Sequence, residues 1–420
     1  MSTKKESFFG GNLFSFLLIA GVFVLAAGIA ITMNIPIQTV MKDYQYNVLV
    51  ILIIMELFTN LIVDTGVMQY IATKLAKKSK GNKRQITILF GTLMFFISAF
   101  LNNITAVMVI LPVIFVLLKA IDIDKRFVYI FFSVILAISN TGGASSPIGD
   151  FPAIVIMTSG ITDFINYLFR AMPVFIITSV ALVAFWVFRI KEKKSDATQE
   201  LAVELLHSQH KHIRIDAGTL IPLCVILLSM FLAWSFVPQE VVPPEIVATL
   251  GYVIATCVSA KRGKNIKQTM DFKAVLTIAA FLFLACVVSS TSFLGNIAAI
   301  LQSNITDPKT LLIVIMLITS VMSGLFSAGP AAAAMMPIIV NLCQNSLAGQ
   351  THWVAIAYAA AICAGSSLFM WSATAGFILS SKVINAEIGH KWGIGEYFKY
   401  GIINYFIQMV IAICIILIVV

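Results

Sequence analysis

The sequence predicts an all-α polytopic membrane protein made of two inverted repeats, each with a re-entrant helical hairpin and a broken transmembrane helix. Three observations predict it. Of 420 residues, 60% are hydrophobic and only 11% charged, whereas a soluble domain carries about 25% charged residues. Apolar runs long enough to cross roughly 30 Å of hydrocarbon recur from one end to the other. Four of these runs are interrupted by polar, Gly-rich sequence, and the interruptions fall at matching places in the two halves.

The elements follow in order. Lys4-Lys5 before an apolar run has the shape of a signal peptide, but the run is long and has a later counterpart, so 13–33 reads as an uncleaved crossing. Further crossings are expected near 47–71, 127–160, 171–188, 217–236, 245–259, 274–300, 352–381 and 400–420. The stretches 86–118 and 311–342 each carry a central break and read as hairpins that enter and leave on one side. That topology places every Lys and Arg on the cytoplasmic side except Lys42, Arg170 and Lys309, out of 28 in all, as the positive-inside rule requires. Full crossings in place of the hairpins would spoil the asymmetry. The N-terminus is then cytoplasmic, the C-terminus extracytoplasmic, and the membrane a bacterial inner membrane. The net charge of +9 sits in these loops and implies no nucleic-acid partner; the lipid bilayer is the partner.

The halves align. Val63-Asp64-Thr65-Gly66-Val67-Met68 sits against Ser289-Ser290-Thr291-Ser292-Phe293-Leu294 at an offset of 226, Pro112 against Pro337 at 225, and Gly142 against Gly365 at 223. Residues 1–190 form the first repeat, 191–242 a cytoplasmic loop with a connecting crossing, and 243–420 the second repeat. Inverted repeats provide the two mirror-related conformations that alternating access needs. The loop contains His207, His210 and His212, which read as a solvated surface rather than a metal site. The six cysteines lie in or beside apolar segments without CxxC spacing and read as small core residues.

Unwound backbone inside a bilayer leaves polar groups unpaired unless protein or cargo satisfies them, so the breaks mark the binding site. The first hairpin offers Asn102, Asn103 and Thr105, and the first broken helix Asn140, Thr141, Ser145, Ser146 and Asp150. The second half offers Ser327 at its hairpin tip, then Ser366, Ser367, Ser372 and Thr374. Three acids fall inside expected spans: Glu56, Asp64 and Asp150. Glu56, Asn60 and Asp64 recur every fourth residue and share one helix face; their repeat partners are Leu282, Cys286 and Ser290, so the acids belong to one half. Each could pair at a helix contact or couple to protons. Asp150 follows a flexible Gly-containing turn and could cap the half-helix starting at Phe151-Pro152, hold a cation, or do both. A carboxylate that cannot hold a proton and a sodium ion together gives competitive exchange, with Asp150 and Asn103 as the sodium ligands. Glu56 and Asp64 lie about 12 Å apart along a helix, too far for a catalytic acid pair, so no enzyme and no cofactor is expected beyond sodium and protons as cargo. Gly142, Gly143, Gly149, Gly329 and Gly365 read as backbone permissions.

These residues resemble the ion transporter superfamily, which includes NhaD-type sodium/proton antiporters, arsenite permeases, citrate carriers and divalent anion symporters. Ser98-Ala-Phe-Leu-Asn-Asn-Ile-Thr-Ala-Val-Met-Val-Ile-Leu-Pro112 is similar to that group's first hairpin. Asn140-Thr-Gly-Gly-Ala-Ser-Ser-Pro-Ile-Gly-Asp150 is most similar to the NhaD version, as is Cys363-Ala-Gly-Ser-Ser367 with Ser372-Ala-Thr-Ala-Gly376. The antiporters commonly read Leu-Asp-Asn where this chain has Leu101-Asn102-Asn103, so one carboxylate is missing. The resemblance implies a homodimer, an elevator in which a transport domain carries the hairpins past a scaffold, and sodium/proton antiport. The alternative it leaves open is sodium- or proton-coupled transport of a small anion, a di- or tricarboxylate or arsenite.

Overall fold

A computed structural model describes residues 4–191, 215–239, 241–262, 272–291, 293–386 and 388–419; the three histidines of the loop lie outside these residues. The fold is helical, with no strand among the described residues. Its helices are α1 (Lys4–Thr32), α2 (Ile37–Asp43), α3 (Tyr46–Val63), α4 (Val67–Lys78), α5 (Lys83–Phe100), α6 (Asn103–Ala120), α7 (Lys125–Ala144), α8 (Phe151–Thr158) and α9 (Phe164–Val187). Then come α10 (Ala217–Phe236), α11 (Pro244–Lys261), α12 (Phe272–Ser289), α13 (Phe293–Asn304), α14 (Pro308–Phe326), α15 (Ala328–Gln344), α16 (Thr351–Ser366), α17 (Gly376–Asn385) and α18 (Ile394–Val419).

Local sequence sets the starts. Asn82, Asn102, Asp124, Asp150 and Asp163 cap α5 to α9 through side-chain oxygens that accept backbone N–H groups, each worth about 1 kcal/mol. Seven helices among the described residues are long and apolar enough to cross a membrane: α3, α6, α7, α9, α10, α14 and α18. Two of them, α6 and α14, are arms of the expected hairpins, so length alone does not separate a crossing from a re-entrant arm.

Two expected crossings are interrupted. The run 47–71 stops at Val63 and restarts at Val67, with Gly66 in the left-handed region at φ 77° and the Thr65 hydroxyl donating to Ile62 O. The run 274–300 stops at Ser289 and restarts at Phe293. Asp64 therefore terminates α3 rather than continuing a polar stripe. Pro112 and Pro337 lie inside α6 and α15, away from the breaks.

The element boundaries recur at a nearly constant offset. Helix α3 ends at 63 and α12 at 289; α6 starts at 103 and α15 at 328; α8 starts at 151 and α17 at 376. Packing recurs with them. A Cβ on Gly142 would meet Phe95 O at 2.5 Å and Ser98 Cβ at 2.9 Å, and one on Gly365 would meet Ser320 O and Ser323 Cβ. Both contacts let α7 press on α5, and α16 on α14, as small residues do between membrane helices. The halves also interlock, since α1 packs along α12 and α11 along α3. Helices α7 and α16, both buried along most of their length, each run into a break.

Candidate functional site

Four elbows meet where these breaks fall. The first hairpin turns at Leu101–Asn102, where Asn102 Oδ1 accepts the Ile104 N–H at 2.9 Å. The next residue, Asn103, is fully buried and donates from Nδ2 to Asp150 Oδ2 at 2.8 Å. Asp150 Oδ1 accepts the Phe151 N–H at 2.9 Å, so one carboxylate caps α8 and ties the broken helix to the hairpin. Ser146 fastens the same junction by donating to Ala99 O.

The glycines here are required by space, since none of Gly142, Gly143 and Gly149 has a positive φ. A Cβ on Gly149 would lie 2.5 Å from Gly143 O, 2.8 Å from Ser98 O and 2.9 Å from Ala99 O. One on Gly143 would lie 2.6 Å from Asn103 Oδ1. Three backbone carbonyls and the Asn103 amide oxygen thus crowd two positions without side chains, beside a carboxylate. Asn103 Oδ1 and Ser98 Oγ are buried without a hydrogen-bond partner among the described residues. That donor set, hard oxygens with one negative charge, suits a small cation.

The second half builds a poorer elbow. Ser327 sits at φ 93°, ψ 155°, a conformation that a side chain resists, at about 1–3 kcal/mol. The Ala328 N–H donates to Ser372 O at 3.2 Å, joining this hairpin to its broken helix. Tyrosines from neighbouring helices satisfy the last carbonyls of both interrupted helices: Tyr167 donates to Ala144 O at 2.8 Å and Tyr397 to Ser367 O at 2.6 Å. The halves touch through Asn140 Nδ2, which donates to Ser367 Oγ at 3.2 Å, and through Gly329, where a Cβ would lie 3.2 Å from the Phe151 ring.

The expected site residues divide accordingly. Asn102, Asn103, Asn140, Ser146, Asp150, Ser327 and Ser367 lie at the junction. Thr141 turns away to Ser179 on α9 at 2.8 Å. Ser145 and Ser366 bond back to their own helices, at Gly142 O and Cys363 O. Thr105 and Thr374 are half-buried beside the elbows. Asp64 is exposed at the end of α3, away from them. Glu56 is brought in: with Thr59, Asn102, Gly149 and Asp150 it lines a cavity of about 10 Å³, at the threshold for one water. No Lys, Arg or His lines that cavity. In the other half, Leu282 and Cys286 line a crevice of about 390 Å³ between α12, α15 and the end of α8, with Ser289, Asn341 and Gln344. Sequence reasoning missed Tyr397 and Gln408. Buried polar groups one turn apart in α18, Asn404 and Gln408, were the available signal.

The seven long apolar helices mark an integral membrane protein, and its family marks it as a secondary transporter. The chain belongs to the citrate transporter family CitMHS, whose profile matches residues 13–363 and 231–420. It is 25% identical over 397 residues to a 46 kDa membrane protein of Mycobacterium leprae, covering 92% of this chain and 90% of that one. It is 25% identical over 320 residues to the uncharacterized transporter Rv2684 of Mycobacterium tuberculosis, covering 75% and 73%. The magnetosome protein MamN of Magnetospirillum gryphiswaldense is 24% identical, with 87% and 82% covered. The crystal structure of the Alcanivorax borkumensis YdaH transporter shares the fold, with a TM-score of 0.60 at 12% identity over 96% of this chain and 97% of that one.

Proposed function

We propose that the protein exchanges sodium for protons across a bacterial inner membrane, by an elevator movement of a transport domain that carries both hairpins and both broken helices. The observation that carries this reading is the first elbow: a buried carboxylate, an amide oxygen and three backbone carbonyls gathered at Gly143 and Gly149, with no basic side chain in the cavity beside them. Asp150 is the exchanging carboxylate, binding sodium or a proton but not both, and Asn103 is its companion ligand. Asn102, Asn140 and Ser367 complete the polar surface, and Glu56, facing the same small cavity, is a second protonation site. The matching helix boundaries and the equivalent packing of Gly142 and Gly365 support the inverted repeat. The NhaD-like motifs favour antiport, and a homodimer would give the moving domain its scaffold.

A second reading, coupled uptake or efflux of a small carboxylate, draws on the family's citrate description. It also draws on the helix N-termini of α6, α8, α15 and α17, which all begin at the elbows and favour anions. In that case Asp150 only caps α8. Purified protein in liposomes with an imposed sodium gradient separates the two. Internal pH should move only when sodium is present, and Asp150→Asn should abolish the movement. Accumulation of labelled citrate without sodium-dependent proton flux, surviving Asp150→Asn, would replace antiport by anion transport.

A further inference from the structure

We propose that Gln408 is a positioning residue that fixes which end of the Asn140 carboxamide faces the cargo, acting through the Ser367 hydroxyl. This deepens the reading above, since it takes Asn140 as part of the binding surface. Helix α18 is apolar along most of its length, yet Asn404 and Gln408 are both buried in it. Buried amides are costly unless bonded, and these two spend their bonds differently. Asn404 accepts from Trp186 Nε1 at 2.7 Å and donates to Ser133 O at 3.2 Å, fastening α18 to α9 and α7. Gln408 binds at the break itself. The Cys363 thiol donates to its Oε1 at 3.4 Å, which assigns Nε2 as the group donating to Ser367 Oγ at 3.0 Å.

The chain of donors is then determined. Ser367 has one hydroxyl hydrogen and gives it to Cys363 O at 3.1 Å. Its lone pairs accept from Gln408 and, at 3.2 Å, from Asn140 Nδ2. Because Ser367 can only accept, Asn140 must present N–H to it and turn its carbonyl oxygen the other way. An oxygen so directed attracts a cation; a flipped amide would offer N–H groups and repel one. Without Gln408 the hydroxyl is free to rotate to another staggered position, donate to Asn140 and let the amide turn over. Gln408 thus selects the sign of the dipole at the junction without touching cargo itself.

The test compares wild type, Gln408→Met, Asn140→Ala, the double variant and Asn404→Leu in proteoliposomes, measuring sodium-driven proton flux and its competition by potassium and lithium. Gln408→Met should raise the half-saturating sodium concentration about tenfold, the scale of one lost hydrogen bond, with the maximal rate within twofold and a weaker preference for sodium. The double variant should match Asn140→Ala, because the two act as one unit. Asn404→Leu should lower the melting temperature in detergent and leave the cation preference unchanged. Unaltered sodium dependence in Gln408→Met, additive effects in the double variant, or an equal loss of preference in Asn404→Leu would each overturn the proposal. Should Gln408→Met fail to fold, Cys363→Ala, which removes the thiol that orients the Gln408 amide, should shift the sodium dependence in the same direction by about threefold; no shift overturns the proposal. Wild-type protein without sodium-dependent flux removes the antiport reading alone. The same variants are then scored on labelled citrate uptake, where Gln408→Met must still change half-saturation through Asn140 and not additively with it.

Discussion

Gly149→Ala is the sharpest perturbation the structure offers. The new methyl carbon would lie 2.5 Å from Gly143 O, 2.8 Å from Ser98 O and 2.9 Å from Ala99 O. Even close C–H···O approaches keep about 3.3 Å, so all three contacts are short by roughly 0.4–0.8 Å. The offending atoms are backbone and cannot rotate away as a side chain would. Overpacking of this kind costs about 1–3 kcal/mol, and the strain falls on the contact between hairpin and broken helix. Displacing ligands by a sizeable fraction of an ångström should cut transport by about tenfold to a hundredfold. Transport in liposomes and thermal unfolding in detergent measure both effects. Gly28→Ala is the control, since no atom lies within 4 Å of its added Cβ and a helical Gly→Ala change stabilises by up to about 1 kcal/mol. A Gly149→Ala protein that transports within twofold of the parent, with an unchanged melting temperature, would refute the idea that these carbonyls crowd the site.

Two further outcomes follow from the packing. Gly142→Ala and Gly365→Ala should destabilise similarly, about 1–3 kcal/mol each, because each presses its helix on a backbone carbonyl and a serine of the partner helix; a large difference in detergent melting would argue against equivalent halves. Asp64→Asn should leave transport within about twofold, the usual reach of an exposed substitution, because Asp64 ends α3 at the surface; a tenfold loss would restore it to the coupling machinery.

Much of the plan was legible in the sequence. The polar interruptions at 101–105, 139–150, 326–330 and 365–376 are where the helices break, because unpaired backbone is tolerated in an apolar chain only where protein or cargo can satisfy it. The offset near 225 between halves reappears in the helix boundaries, since caps and turn residues act locally. The fate of individual side chains was less legible. Glu56, Asn60 and Asp64 share a spacing, yet the helix stops at Val63 and leaves Asp64 exposed, while Glu56 lines the same small cavity as Asp150. Thr141 and Asn140 are neighbours in sequence, but one turns to α9 and the other to Ser367.

The sequence by itself determined that this chain lives in a bilayer and where it kinks, because hydrophobicity, charge placement and turn chemistry are properties of short stretches. Only the tertiary structure decided which oxygens face Gly149, that Asp150 holds Asn103, and that Gln408 reaches the second break. Apart from the one to Gly143, those contacts join residues roughly 40–50 positions apart, and nothing in a local pattern fixes the rotation of one helix against another. The packing of α5 on α7 and α14 on α16 does.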